Sequence, residues 1–545
     1  MAPEQQINIA HALTRQAEAQ PEAIALILPT KRSADGWVDR RWTYRQLNEL
    51  TDRLAAGLQA KGIGKGTRAA FMVPPSLEFF ALFFALFKAG AVPVLIDPGI
   101  GLKPLKTCLA EAEPEVFIGV TRAQIARMVF GWARGSIRQT ITVGPRPFWR
   151  GLKYSDLLSA RIEDFAAPEV GAEDEAAILF TSGSTGIPKG VVYRHRMFAA
   201  QVELLRETFG VEPGEVDLPT FPPFALFDPA LGMTSVIPIM DFTRPAKADP
   251  DMLVSLIETY GVTHLFGSPA LMNTLSRHME KHAIRIPGVK RALSAGAPVP
   301  PAVIERMHSA LDPWSDIHTP YGATEALPVA TMAGRELVGE LSDGNRSGKG
   351  ICIGRPLAAN EVRIIPVSDQ PIDLTEYAGE VADGDIGEIC VAGPTVTDTY
   401  FKRERQTREA KMTDSQGRVW HRMGDLGWMD DAGRLWFCGR KSERVVTPEG
   451  TLFTECVEGP VNAVEGVFRS ALVGVGEKGR QEPVIVIEPE VDADQAVVEA
   501  AVREVLSRHW LTREIRRVLF KESFPVDIRH NAKIRRRELA EWAAG

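Results

Sequence analysis

The sequence predicts an α/β chain. A large N-terminal part has helix-covered parallel sheets and a β-rich subdomain, and a small, mobile α+β C-terminal domain follows. Three observations carry this. Short apolar runs alternate with amphipathic helical stripes through the first three hundred residues. After Gly354 short strand-like runs alternate with Gly and Asp turns instead. A chain of 545 residues is also too long for one compact core, so two or more domains are expected.

Thr43 and Gln46 have the spacing of a capping box, and Leu47, Leu50, Leu54 and Leu58 then form one face of a helix that Gly62 and Gly64 end. Arg68 to Val73 reads as a strand, Leu77 to Lys88 as a helix, and Val92 to Ile96 as a buried strand ending at Asp97-Pro98-Gly99. Ala176 to Phe180 is a further strand. Phe198, Val202, Leu205 and Phe209 are spaced as one helical face, which places the intervening loop between strand and helix. Val262 to Phe266 and Arg291 to Ser294 read as strands following helices. Val362 to Pro366, Glu388 to Ala392 and Arg434 to Cys438 are the short strands of the β-rich part. Strands at Ser470 to Val475 and Pro483 to Ile487, and a helix near Asp494 to His509, belong to the last unit. The expected division is residues 1–438 (β-rich subdomain about 355–438), a hinge at 439–442 and a mobile domain at 443–545.

Hydrophobic residues make up 45% and charged residues 24%, as in ordinary globular enzymes. The net charge of −7 argues against a nucleic-acid partner, which needs a basic face. Met1 to Ile9 is polar, without a signal-peptide core, and the apolar stretch Phe79 to Phe87 is too short to span a bilayer, so no transmembrane segment is expected. Core packing is the reading of those phenylalanines, with contact to a lipid substrate or a membrane surface as the alternative. The five cysteines are scattered, with no C-x-x-C, which suits a reducing cytoplasm and offers no metal site.

The run Thr181-Ser182-Gly183-Ser184-Thr185-Gly186-Ile187-Pro188-Lys189-Gly190 concentrates small residues, hydroxyls and one lysine. Such a loop lets backbone N–H groups crowd round an anion, with Lys189 as a mobile positive charge. It lacks the G-x-x-x-x-G-K-[ST] spacing of the ordinary P-loop. It resembles the phosphate loop of the adenylate-forming superfamily, which holds acyl-CoA synthetases, adenylation domains of peptide synthetases, and luciferases. The resemblance implies ATP-dependent activation of a carboxylic acid as acyl-AMP.

Other segments match that family in order. Ser294-Ala295-Gly296-Ala297-Pro298 resembles its adenine-binding segment, where small residues let a flat ring lie against backbone. In Tyr321-Gly322-Ala323-Thr324-Glu325, Tyr321 would stack on the purine, Thr324 donate to the α-phosphate and Glu325 hold Mg²⁺. Asp425 in Met423-Gly424-Asp425-Leu426 would accept the ribose hydroxyls, and Arg440 would contact ribose or phosphate. Asp430 to Gly433 reads only as a turn. Lys533 in Asn531-Ala532-Lys533-Ile534 would bridge carboxylate and α-phosphate; Ala532 and Ser442 depart from the residues usual there. His195 is a candidate general base, with a helix-start histidine held by backbone as the alternative. Phe198, Phe224 and Phe227 are candidates for the acyl pocket.

The second nucleophile decides the product. Phe221 to Pro229, Thr447 to Cys456 and Asp527 to Lys533 resemble the β-lactone synthetases of bacterial long-chain olefin biosynthesis. That branch implies a 2-alkyl-3-hydroxy fatty acid whose own hydroxyl closes the ring, no CoA, and a complex with other olefin-pathway enzymes. A long-chain acyl-CoA ligase or fatty acyl-AMP ligase is the alternative, and a non-catalytic nucleotide-binding protein a third.

Overall fold

In a computed structural model of the chain, the described residues are 8–34, 36–180, 188–374, 379–508, 512–526 and 534–545. Two seven-stranded sheets organise the first three hundred residues. The first runs Leu152–Lys153, Gln139–Val143, Val116–Val120, Arg68–Met72, Val92–Ile96, Glu175–Phe180 and Gly190–Arg194. All its neighbours are parallel except the last pair. The second runs Asp316–His318, Arg291–Ser294, His264–Gly267, Val216–Pro219, Thr234–Val236, Ile24–Ser33 and Gly36–Thr43, again parallel except at its last pair. Parallel strands need helical crossovers and bury both faces, which is why these segments read as continuous apolar runs.

One core cluster takes side chains from both sheets, with the helix Leu77–Lys88 at its heart. Ser76 caps that helix by accepting from Phe79 N at 3.2 Å, and all of Phe79 to Lys88 is buried. The core reading of its phenylalanines is therefore the one the structure adopts, each contributing about 2–3 kcal/mol of burial. Buried Lys88 is paired with Asp52 at 2.6 Å. The capping box at Thr43 and Gln46 opens the helix Tyr44–Ala60 as expected.

The third sheet is antiparallel and eight-stranded. It draws on Tyr321–Ala323, Ala326–Thr331 and Ile351–Pro356, so the β-rich part starts upstream of residue 355. Tyr321–Ala323 has three residues and falls inside the Tyr321 to Glu325 motif, which hides it in the sequence. Beyond Arg440, Lys441–Glu443 forms a single 3-10 turn, and the sheet Val467–Val475, Glu482–Pro489 and Arg517–Phe520 follows. Lys441 Nζ is held 2.8 Å from Glu388 Oε1, while Arg422 Nη2 takes Glu388 Oε2 at 2.6 Å.

One element differs from expectation. Between the loop and the helix His195–Phe209 the chain inserts the strand Gly190–Arg194, antiparallel to Glu175–Phe180. Phe180 is thus followed by a second strand before the helix begins. The Val191-Val192-Tyr193 run has the β-branched and aromatic character of a strand.

Candidate active site

The loop residues Thr181, Ser182, Gly183, Ser184, Thr185 and Gly186, and Lys533 near the C-terminus, lie outside the described residues. Lys189, which follows the loop, is half-buried with Nζ 4.3 Å from the Tyr400 ring centroid. Burial pushes its ammonium pKa down, and Glu325 pulls it the other way. Tyr400 is buried and donates from its hydroxyl to Glu325 Oε1 at 2.7 Å. The Glu325 carbonyl accepts from Thr397 N at 2.9 Å and from Thr397 Oγ1 at 3.1 Å.

Tyr400 is placed by the hairpin itself. Val191 and Tyr400 form a bridge, Val192 N donates to Thr399 O at 3.2 Å, and Phe401 N donates to Gly190 O at 2.7 Å. Tyr193, on the same strand, donates from its hydroxyl to Thr324 O at 2.5 Å. The side-chain hydroxyl of Thr324 makes no hydrogen bond among the described residues.

A second group of polar side chains is built across another hairpin. Asp425 and Arg440 are register partners on Val419–Met429 and Leu435–Arg440, and Arg440 Nη1 lies 2.8 Å from Asp425 Oδ1. Tyr321 donates from its hydroxyl to Asp425 Oδ2 at 2.6 Å. Burial raises the Asp425 carboxyl pKa, against the pull of Arg440 and of the Tyr321 hydroxyl. Among the described residues Oδ1 has charge compensation but no hydrogen bond, which leaves an acceptor for a diol. Gly322 packs so tightly that a Cβ there would lie 2.7 Å from Ala326 O. Asp430 accepts from Ala432 N and Arg434 N, as a turn former does.

Ala295, Gly296, Ala297 and Pro298 follow the strand Arg291–Ser294, with Gly296 at φ +96°, a left-handed conformation that favours glycine. Ser294 Oγ beside them is buried and has no hydrogen-bond partner among the described residues. Phe198, Phe227 and Phe224 form a line of rings: centroids are 6.4 Å apart for Phe198–Phe227 and again for Phe227–Phe224, and 4.1 Å for Phe224–Phe266. His195 is separated from this group by Phe87, whose ring also meets Phe198 at 5.8 Å between centroids. Its Nδ1 accepts from Ile9 N at 3.3 Å, its ring meets Phe87 edge-on, and burial takes its pKa down to about 4.

Two contributors escaped the sequence reading. One is Tyr400. The other is Lys411, buried, donating to Thr397 Oγ1 at 3.0 Å, with its Nζ 5.9 Å from the Tyr400 ring centroid. Burial pushes its pKa down to about 7, although Glu325 and Asp398 oppose this. The arrangement is therefore two series, Lys189 to Tyr400 to Glu325 and Tyr321 to Asp425 to Arg440, with Tyr321 and Glu325 four residues apart in the chain. It suits a triphosphate nucleotide. For Mg²⁺ the fit is also good: Glu325 offers one hard carboxylate whose Oε2 makes no hydrogen bond among the described residues, and Mg²⁺ commonly takes one or two carboxylates beside substrate phosphates.

Fold and site together define a nucleotide-dependent, AMP-forming ligase. Residues 13–401 match the AMP-binding enzyme family, and the chain belongs to it. It is 52% identical to an olefin beta-lactone synthetase of Xanthomonas campestris pv. campestris, over 98% of this chain and 97% of that one. It is 51% identical to the olefin beta-lactone synthetase of Stenotrophomonas maltophilia, over 98% of both chains. The solved amide bond synthetase McbA from Marinactinospora thermotolerans shares the fold, with a TM-score of 0.77 at 23% identity over 98% of this chain and 99% of that one.

Proposed function

We propose that this chain converts a 2-alkyl-3-hydroxy fatty acid into a β-lactone at the expense of ATP. The substrate carboxylate attacks the α-phosphorus, the bond to the β-phosphate oxygen breaks, and pyrophosphate leaves. The 3-hydroxyl oxygen then attacks the acyl carbon of the mixed anhydride, AMP departs, and the hydroxyl proton goes to solvent or to the departing phosphate. Holding both groups in one molecule offsets the weak nucleophilicity of an alcohol.

Lys189 and the hydroxyl-rich loop before it grip the β- and γ-phosphates, and Thr324 meets the α-phosphate. Asp425, steadied by Tyr321 and Arg440, holds the ribose, with the adenine against Ala295 to Pro298 and Tyr321. Lys533 orients the attacking carboxylate. Mg²⁺, held by Glu325, would supply neutralisation of phosphate charge. Phe198, Phe224 and Phe227 line the alkyl channel. Residues 443–545 act as the mobile domain, pivoting at 439–442 to carry Lys533 in and out. The setting is cytoplasmic, and enzymes that supply the hydroxy acid and consume the lactone are the expected partners.

The observation that carries this reading is the near full-length likeness to the two bacterial relatives, joined to the Lys189–Tyr400–Glu325 and Tyr321–Asp425–Arg440 series. The test is a product assay with ATP, Mg²⁺ and a 3-hydroxy fatty acid. Without CoA, β-lactone and AMP are expected, and Lys533→Ala is expected to suppress pyrophosphate release by about a hundredfold or more. A product formed only with CoA would make the chain an acyl-CoA ligase instead.

A further inference from the structure

From Thr121 to Lys153 the sequence carries seven basic residues and no acidic one, in a chain whose net charge is −7. The same stretch holds the largest group of exposed apolar side chains near one another in sequence: Val129 is 69% exposed and Phe148 74%, with Ile125 and Phe130 also open. Thr121, Ile125 and Val129 recur every fourth residue on the helix Thr121–Phe130, so they form one stripe. Thr121 Oγ1 donates to Pro145 O at 2.5 Å, which fastens the start of that stripe to the loop bearing Phe148 and its neighbour Trp149, their rings 5.1 Å apart. Acidic counterparts sit at its margins: Asp241 within electrostatic reach of Arg122, and Glu115 3.8 Å from Arg138.

The position matters as much as the composition. The strands Val116–Val120 and Gln139–Val143 lead into this helix and this loop. Both run parallel to Glu175–Phe180, whose end leads to Lys189. All three therefore finish on one edge of the sheet. From Gln139–Val143 to Glu175–Phe180 is four strand steps, about 19 Å at the usual spacing. Arg122 at the start of the helix and the loop with Arg146, Phe148 and Arg150 thus lie at the edge from which the chain runs on to Lys189, and the stripe of Ile125 and Val129 runs back from it.

We propose that this face docks on an anionic lipid bilayer, from which the doubly alkylated acid reaches the cleft; the purpose, though not the docking, rests on the function proposed above. Basic side chains attract anionic headgroups, and Phe148, Ile125 and Val129 enter the headgroup boundary. Such a bilayer also matches the solubility of a two-chain acid.

The test is flotation of the full-length protein with vesicles. With phosphatidylglycerol-containing vesicles at about 50 mM salt the protein is expected to float, and at about 500 mM salt or with phosphatidylcholine alone it is expected to stay below. The double variant Val129→Ser, Phe148→Ser and the charge variant Arg122→Glu, Arg150→Glu should each weaken binding about tenfold or more. Both should keep wild-type ATP–pyrophosphate exchange with a short, soluble 3-hydroxy acid, which also reports that they fold. No flotation with any vesicle, or equal flotation of wild type and variants, overturns the proposal and leaves the face to a protein partner. Flotation without any substrate-dependent exchange would refute the proposed function and leave the docking intact.

Discussion

Tyr400 donates a 2.7 Å hydrogen bond to Glu325 Oε1 while its ring lies 4.3 Å from Lys189 Nζ, so a single aromatic side chain braces the acid and the base of the phosphate end. Burial and then Glu325 push the phenol pKa far up, so it remains a donor throughout the working pH range. Tyr400→Phe keeps the ring under Lys189 and removes only the donor. A hydrogen bond to a charged group contributes about 1.5–3 kcal/mol, so adenylation should fall about 10- to 100-fold. The Mg²⁺ dependence of ATP–pyrophosphate exchange should shift to higher metal concentration. An unchanged metal titration would remove Tyr400 from this role.

Asp425→Asn keeps the shape of the side chain and removes its charge. Arg440 then loses its buried partner, and the ribose loses its best acceptor. Because Arg440 keeps some solvent contact, the stability loss should be about 2 kcal/mol, below the 3–5 typical of breaking a fully buried pair. The KM for ATP should rise about tenfold or more, as read by exchange at varied ATP, with the melting temperature measured in parallel.

Lys411 makes stability depend on pH. Its pKa of about 7 in the folded chain is below the ordinary 10.5, so between these values the unfolded chain binds the extra proton. Stability contributed through this group therefore rises as pH increases from about 7 towards 10, and the burial penalty is complete below 7. Lys411→Met should flatten that slope in urea unfolding at pH 7 and pH 9. It should also slacken Thr397, and through it the backbone of Glu325, lowering exchange activity.

His195→Ala tests the two readings of that residue. Its removal leaves a cavity and an unpaired Ile9 N–H, so about 2–3 kcal/mol of stability should be lost. Exchange measured well below the melting temperature should stay within about threefold of wild type if the ring is a structural acceptor, since its Nδ1 is already taken by Ile9 N. A hundredfold loss with an unshifted melting temperature would restore the general-base role.

Much of this was legible in advance for a physical reason. Strands of a doubly covered parallel sheet are short apolar runs, and Val92 to Ile96 and Arg291 to Ser294 match their observed bounds. Gly190–Arg194 was not legible, because an apolar lead between loop and helix looks like part of either. Tyr400 and Glu325 lie 75 residues apart and meet only through tertiary packing, so no spacing announces them. Lys411, close to Glu409 and Asp414, reads as surface charge until the sheet closes over it. The pairing of Asp425 with Arg440 was out of reach of counting: outward from Met429 and Leu435 the register brings Gly439 opposite Asp425, and only the irregularity between Leu426 and Gly427 moves Arg440 there.

The bridge between Val191 and Tyr400 has a further consequence. Tyr400 is stitched to the rim of the parallel sheet by backbone bonds and reaches Glu325, beside the antiparallel sheet, through its side chain. The seam between those two layers therefore passes through the proposed phosphate site. Heat that parts the layers should silence the enzyme while circular dichroism still records intact helices and strands.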